Sequence, residues 1–207
     1  MESIPPPVVV TAGGDSGPLV VLLHGRGGDE ERILELSALL PETSFAAVRG
    51  PVGNGDGYAW FENHPLEGPD WSTVAATMAW FREWLDDAAG TRPVVLVGFS
   101  SGAAFTGGLI LSDPGRYAGA AVLYGTLPFD SGLPATPGRL SGLPVFVTQG
   151  EEDEVIPAEL SARTWAYVTG ESGADATAQR YPGGHGFTPA SLRDLSDWLI
   201  KTVAAAG

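Results

Sequence analysis

Residues 93–111 run Pro93-Val94-Val95-Leu96-Val97, then Gly98-Phe99-Ser100-Ser101-Gly102, then the small and apolar stretch from Ala103 to Leu111. Val94 to Val97 is an apolar run with no polar alternation, the pattern of a strand buried on both faces. Ala103 to Leu111 suits a helix that packs closely, and Asp113-Pro114 ends it. Between strand and helix lies a G-x-S-x-G pentapeptide. A sharp, strained turn there lifts the central Ser100 hydroxyl out of the sheet, and the flanking glycines let strand and helix approach. The helix start adds free N–H groups and the positive end of a dipole beside that hydroxyl. A chain with 29 glycines produces such a pentapeptide readily by chance. Its weight therefore comes from its setting at a strand-to-helix junction.

The same alternation extends outward from this segment. Val8 to Val10, Leu19 to Leu23, Phe45 to Val48, Ala118 to Tyr124 and Val145 to Thr148 read as strands, with a short one near Thr177 to Tyr181. Apolar residues at helical spacing run from Ile33 to Leu40 and stop at Pro41. A second helix spans Asp70 to Ala88, with Trp71, Val74, Met78, Phe81 and Leu85 on one face. Pro157 to Val168 and Pro189 to Val203 are helices opened by a proline in the first turn. Gly50 to Gly57 and Gly125 to Gly142 read as loops. Apolar strands separated by helices predict an α/β fold: a mostly parallel central sheet with helices on both faces. The 207 residues are expected to form a single domain, 1–207, with no room for a large cap. In such sheets ligands bind at the carboxyl ends of the strands.

Composition narrows the function. Apolar residues make up 43% and charged residues 17%, which argues for a packed core. Cysteine is absent, which removes disulfides, thiolate metal sites and a cysteine nucleophile. Eleven basic against 25 acidic side chains give a formal charge of -14. Such a chain repels nucleic acid and anionic membrane surfaces. No apolar run approaches the roughly 20 residues that span a bilayer. The amino terminus has no signal-peptide pattern, so a cytoplasmic protein without stable membrane insertion is expected. No His/Asp cluster has metal-ligand spacing, and no cofactor is expected.

A nucleophilic serine needs a base, and the base needs an orienting carboxylate. Of three histidines, His24 ends the second strand and reads as a brace for the loop it opens. His64 lies in a polar loop. His185, in Gly183-Gly184-His185-Gly186-Phe187, follows the last strand and follows Ser100 in the chain, the order an acyl-transfer triad of this type takes. The acid is expected after a strand between the two. Gly150-Glu151-Glu152-Asp153-Glu154-Val155-Ile156-Pro157 offers four acidic residues. Asp153 stands on the strand-to-helix loop, and its three acidic neighbours read as a solvated helix start. Asp130 and Asp113 are runners-up in turns. An oxyanion hole takes one N–H from the residue after the nucleophile, Ser101, and another from an early loop. Gly25-Arg26-Gly27-Gly28 fits that loop. It lacks the lysine and hydroxyl residue of a phosphate cradle.

Leu23 to Gly27, Trp60-Phe61, Gly98 to Gly102, and Gly150 to Pro157 followed by His185 resemble, in this order and spacing, the small carboxylesterase/phospholipase family of the α/β-hydrolase superfamily. Bacterial carboxylesterases and acyl-protein thioesterases are similar. The resemblance runs from about Val8 to Ile200. It implies a serine carboxylesterase acting on small-molecule esters, with Ser100 as nucleophile, Asp153 as orienting acid and His185 as base. It also implies the Arg26 and Ser101 amides as the oxyanion hole. The family usually has Gln where this chain has Ser101, and often His where this chain has Gln149. Only the backbone N–H is needed at Ser101. Tyr58, Trp60 and Phe61 resemble the family's acyl-pocket wall, with Leu127, Val155 and Phe187 completing an apolar slot. The Arg26 guanidinium reads either as a reader of a substrate carboxylate or as solvent-facing. Short- to medium-chain carboxylic esters are the expected substrates. A thioester or lysophospholipid substrate, or a non-catalytic binding role, is the alternative. Relatives imply a monomer or a homodimer.

Overall fold

A computed structural model describes residues 4–62 and 71–207. His64 lies outside the described residues. Strands β1 (Val9–Ala12), β2 (Leu19–Leu23) and β3 (Ser44–Val48) are followed by a small hairpin, β4 (Val52–Asn54) and β5 (Gly57–Ala59). The remaining strands are β6 (Val94–Phe99), β7 (Gly119–Leu123), β8 (Pro144–Gly150) and β9 (Asp175–Tyr181). Helices α1 (Glu30–Leu34), α2 (Trp71–Ala89), α3 (Ser101–Ser112), α4 (Ala158–Ala166) and α5 (Pro189–Ala206) connect or follow them.

A seven-stranded sheet has the order β1-β3-β2-β6-β7-β8-β9. β1 pairs antiparallel with β3, and every other pairing in this sheet is parallel. This is the mostly parallel, helix-covered sheet expected of an α/β hydrolase. Successive strand residues point to opposite faces, and both faces are covered, so no position along β2 needs to be polar. Leu19, Val21 and Leu23 join a core with Val74, Met78, Phe81 and Leu85 of α2 and Phe105 and Leu109 of α3. Val20 and Leu22 face the other way, into a core with Ile33 of α1 and Leu195, Trp198 and Leu199 of α5.

Two stretches differ from expectation. The periodic run before Pro41 is helical only to Leu34 and then tightens into a 3₁₀ turn over Glu35–Leu39. The expected Gly50–Gly57 loop instead holds β4 and the start of β5, a hairpin that turns at Gly55 with a φ of 60°. Three-residue strands are too short to carry an alternating pattern.

The parallel strands deliver their carboxyl ends to one edge. The loops after β2, β6, β7, β8 and β9 meet there, and they carry the residues of interest.

Candidate active site

Ser100 is the N-cap residue just before α3, with φ 56° and ψ -116°. Among the described residues only Ser100 and Tyr124 have positive φ without being glycine. Such a conformation costs on the order of 1–3 kcal/mol and persists only where surrounding contacts impose it. Here they are visible. The Ser100 N–H donates to the Leu123 carbonyl (2.9 Å), and the Ser100 carbonyl accepts from Ala103 (3.0 Å) and Ala104 (3.2 Å). The pentapeptide glycines are required by close approach. A Cβ on Gly98 would lie 2.3 Å from the Gly102 carbonyl oxygen, and one on Gly102 would lie 2.2 Å from that of Leu23.

His185 reaches the site from the loop after β9. Its Nε2 lies 2.9 Å from Ser100 Oγ and its Nδ1 2.8 Å from Asp153 Oδ2. A carboxylate only accepts, so Nδ1 carries the proton and Nε2 is left to accept from the serine hydroxyl. Asp153 sits in the turn after β8. Its second oxygen, Oδ1, accepts the backbone N–H groups of Val155 (2.9 Å) and Ile156 (3.1 Å). Both carboxylate oxygens are thus engaged, and the side chain is 6% exposed. Glu151, Glu152 and Glu154 are exposed. Asp130 pairs with Arg163 on the surface, and Asp113 caps the far end of α3, away from this site.

Aromatic rings back the histidine. Phe99 lies 5.3 Å from the His185 ring and 4.9 Å from Phe187, centroid to centroid. Tyr124 meets His185 and Phe187 edge-on, at 6.4 and 5.7 Å. No local sequence signal marks Tyr124, because its positive φ comes from the turn it makes beside Ser100.

The loop Gly25–Gly28 faces the serine across the edge of the sheet. The hairpin holds it: Gly27 N–H donates to the Tyr58 carbonyl and Tyr58 N–H to that of Gly28, both at 2.8 Å. The Arg26 N–H has no backbone acceptor among the described residues. Its guanidinium reaches the Phe61 carbonyl at 3.4 Å and forms no ion pair among them. His24 braces this loop from below. Its Nδ1 donates to the Gly25 carbonyl (2.7 Å), Nε2 accepts from Gly50 N–H (2.9 Å), and its own carbonyl accepts from Trp60 Nε1 (2.8 Å). Alongside, buried Glu30 and half-buried Arg49 form a bidentate pair, and the guanidinium stacks on Tyr58. Burial, the largest single influence, would raise the Glu30 carboxyl, but the Arg49 hydrogen bonds, Glu30's own backbone N–H and the Arg49 charge together hold it below the usual carboxylate range.

Burial lowers the His24 pKa below its ordinary value. The unfolded chain therefore takes up a proton at His24 at a pH where the folded chain does not. That stability is complete above the ordinary imidazole range and is lost as pH falls through it toward the folded value. Urea unfolding from about pH 7.5 to about pH 5.5 is expected to show a loss of stability that is shallower in His24→Gln, by up to about 1.4 kcal/mol per pH unit. Equal slopes in the two proteins would contradict this role for His24.

The residues expected to line an apolar slot are not all open to a ligand. Trp60 and Phe61 are fully buried and pack on Phe105, Trp60 stacking at 4.6 Å. Leu127 is buried in the same core. All three belong to the core cluster that contains Phe105 of α3. Tyr58 contributes backbone pairing and a ring for Arg49. Val155 is exposed, beside the Asp153 turn. Phe187 does line open space. It borders a cleft of about 400 Å³ between the Gly25–Asp29 loop, Phe99 and the α1 segment. Gln149 spends its amide on the Ser161 carbonyl (2.6 Å).

A serine, histidine and carboxylate in line are found on several unrelated folds, so ancestry needs separate evidence. The sequence model of the phospholipase/carboxylesterase family matches residues 5–203. The chain belongs to the phospholipase/carboxylesterase family. The Bacillus subtilis (strain 168) protein MhqD is 29% identical over 198 residues, covering 92% of this chain and 96% of its own. A carboxylesterase structure from Mesorhizobium loti is 27% identical with a TM-score of 0.79, covering 89% of each chain. The Bacillus cereus carboxylesterase superposes with a TM-score of 0.83 at 24% identity, covering 95% of this chain and 94% of that one, which speaks to the fold. As a phospholipase/carboxylesterase family member the chain is a hydrolase. Among the described residues no helix is long and apolar enough to cross a membrane.

Proposed function

We propose that this family member is a serine carboxylesterase that cleaves short- to medium-chain carboxylic esters through an acyl-enzyme. The observation that carries it is the unbroken line from Ser100 Oγ through the His185 ring to Asp153, at 2.9 and 2.8 Å. His185 Nε2 takes the serine proton as Oγ attacks the ester carbonyl. Asp153 keeps the imidazole in the right tautomer and stabilises the imidazolium that forms. The tetrahedral oxyanion is held by the Arg26 and Ser101 backbone N–H groups. Ser101 opens α3, so its N–H has no partner within the helix, and the helix dipole favours negative charge there. The imidazolium proton then goes to the leaving oxygen and the alcohol departs. Water, deprotonated by His185, attacks the acyl-serine and releases the acid.

Hydrolysis of p-nitrophenyl esters from acetate to palmitate tests the assignment. Turnover is expected to be greatest at short to medium chain length. An absence of turnover across the whole series by folded protein would refute it.

A further inference from the structure

The cleft beside the serine has a side. Its walls are the Gly25 loop and the side chains of Ile33, Leu36, Leu39, Phe99 and Phe187. A Cβ on Gly25 would lie 3.2 Å from Ser100 Cβ and 3.0 Å from the Phe99 ring, so the Gly25 wall of the cleft is packed against the turn that carries the nucleophile. Phe99 also packs on the His185 ring at 5.3 Å, and Phe187 follows His185 by two residues. Two walls of the cleft, Phe99 and Phe187, thus lie on the histidine side of Ser100. Chemistry fixes what belongs on that side. When the tetrahedral intermediate collapses, the carbonyl re-forms, the C–O bond to the alcohol breaks, and the proton on Nε2 passes to the departing oxygen. The leaving alcohol must then sit next to Nε2, with the acyl chain directed elsewhere. At the outer end Leu39 is 58% exposed, one of few large apolar side chains left open to solvent. Arg32 and Asp29 form a polar rim.

Resting on the esterase assignment, we propose that this cleft is the leaving-group subsite. It selects esters whose alcohol is apolar and ring-sized. The aromatic pair Phe99 and Phe187 supplies faces for a ring, and a cleft of about 400 Å³ accommodates a bicyclic alcohol.

The test compares wild type with Leu39→Trp, which narrows the mouth, and Leu36→Ala, which widens the floor. The exposed position of Leu39 spares the fold. The readout is the ratio of kcat/KM for 1-naphthyl acetate to that for methyl acetate, which cancels the intrinsic reactivity of each ester between proteins. The ratio is expected to fall about 10-fold in Leu39→Trp and to rise in Leu36→Ala. The ratio of p-nitrophenyl butyrate to p-nitrophenyl acetate, which reads the acyl side, is expected to move less than about twofold. Wild-type naphthyl ratios in both variants, or a change confined to the acyl series, would overturn the proposal while leaving the esterase assignment standing. Wild-type protein inactive on all four esters would instead remove the esterase assignment, and this subsite with it.

Discussion

S100A is expected to lower kcat for ester hydrolysis by at least about 10³-fold with the fold intact. Ser100 Oγ is the atom that His185 Nε2 addresses, at 2.9 Å. Without it no acyl-enzyme forms, and only binding and the oxyanion donors remain, which support a small residual rate. Alanine keeps the Cβ and the same cost of a positive φ. Among the described residues the hydroxyl makes no hydrogen bond other than the one to His185. Thermal unfolding should therefore move little. The check is a pair of measurements on one preparation: initial rates with p-nitrophenyl acetate, and a melting curve. Hydrolysis within about tenfold of wild type by well-folded S100A would remove Ser100 from the mechanism.

The second large effect belongs to D153N, and the hydrogen bonds around the carboxylate dictate its sign. Oδ1 is held by two backbone donors, the N–H groups of Val155 and Ile156. An asparagine there must keep its carbonyl oxygen on those donors, which turns its NH₂ toward His185 Nδ1. That ring nitrogen then has to accept, so the imidazole proton moves to Nε2 and points at Ser100. A histidine in that tautomer cannot take the serine proton. Loss of about 10³- to 10⁴-fold in kcat is expected. Stability should change little, because the amide still satisfies the same two donors. Near wild-type rates in D153N would mean that the tautomer is set by something other than Asp153.

Much of this was readable beforehand, for identifiable reasons. The β6–α3 junction shows in the sequence because a two-sided strand, a glycine-flanked serine and a small-residue helix each leave a compositional trace. Asp153 and His185 were placed by chain order and by their positions after strands. The three glutamates around Asp153 have the same charge, but the turn aims only Asp153 inward. The pocket was not legible. Trp60, Phe61 and Leu127 are apolar residues near the site in sequence, yet Phe105 and its neighbours bury all three. Whether an aromatic side chain packs inward or faces a ligand depends on what lies across from it, and helix α3 decides that from far along the chain. The cleft that is open takes its walls from Ile33, Leu36 and Leu39. These read as the buried stripe of a regular helix, and the shift to a 3₁₀ turn after Leu34 leaves Leu39 exposed. The β4–β5 hairpin, which fixes the Gly25–Gly28 loop through Tyr58, was hidden by its shortness and its glycines.

Covalent trapping tests the role of Ser100 most directly. Wild-type protein is incubated with diethyl p-nitrophenyl phosphate, residual esterase activity is followed, and the modified peptide is mapped by mass spectrometry. One diethylphosphoryl group on Ser100, appearing in step with loss of activity and absent from S100A, is the predicted result. Inactivation with the label on another residue, or full activity with Ser100 labelled, would contradict a mechanism through a Ser100 acyl-enzyme.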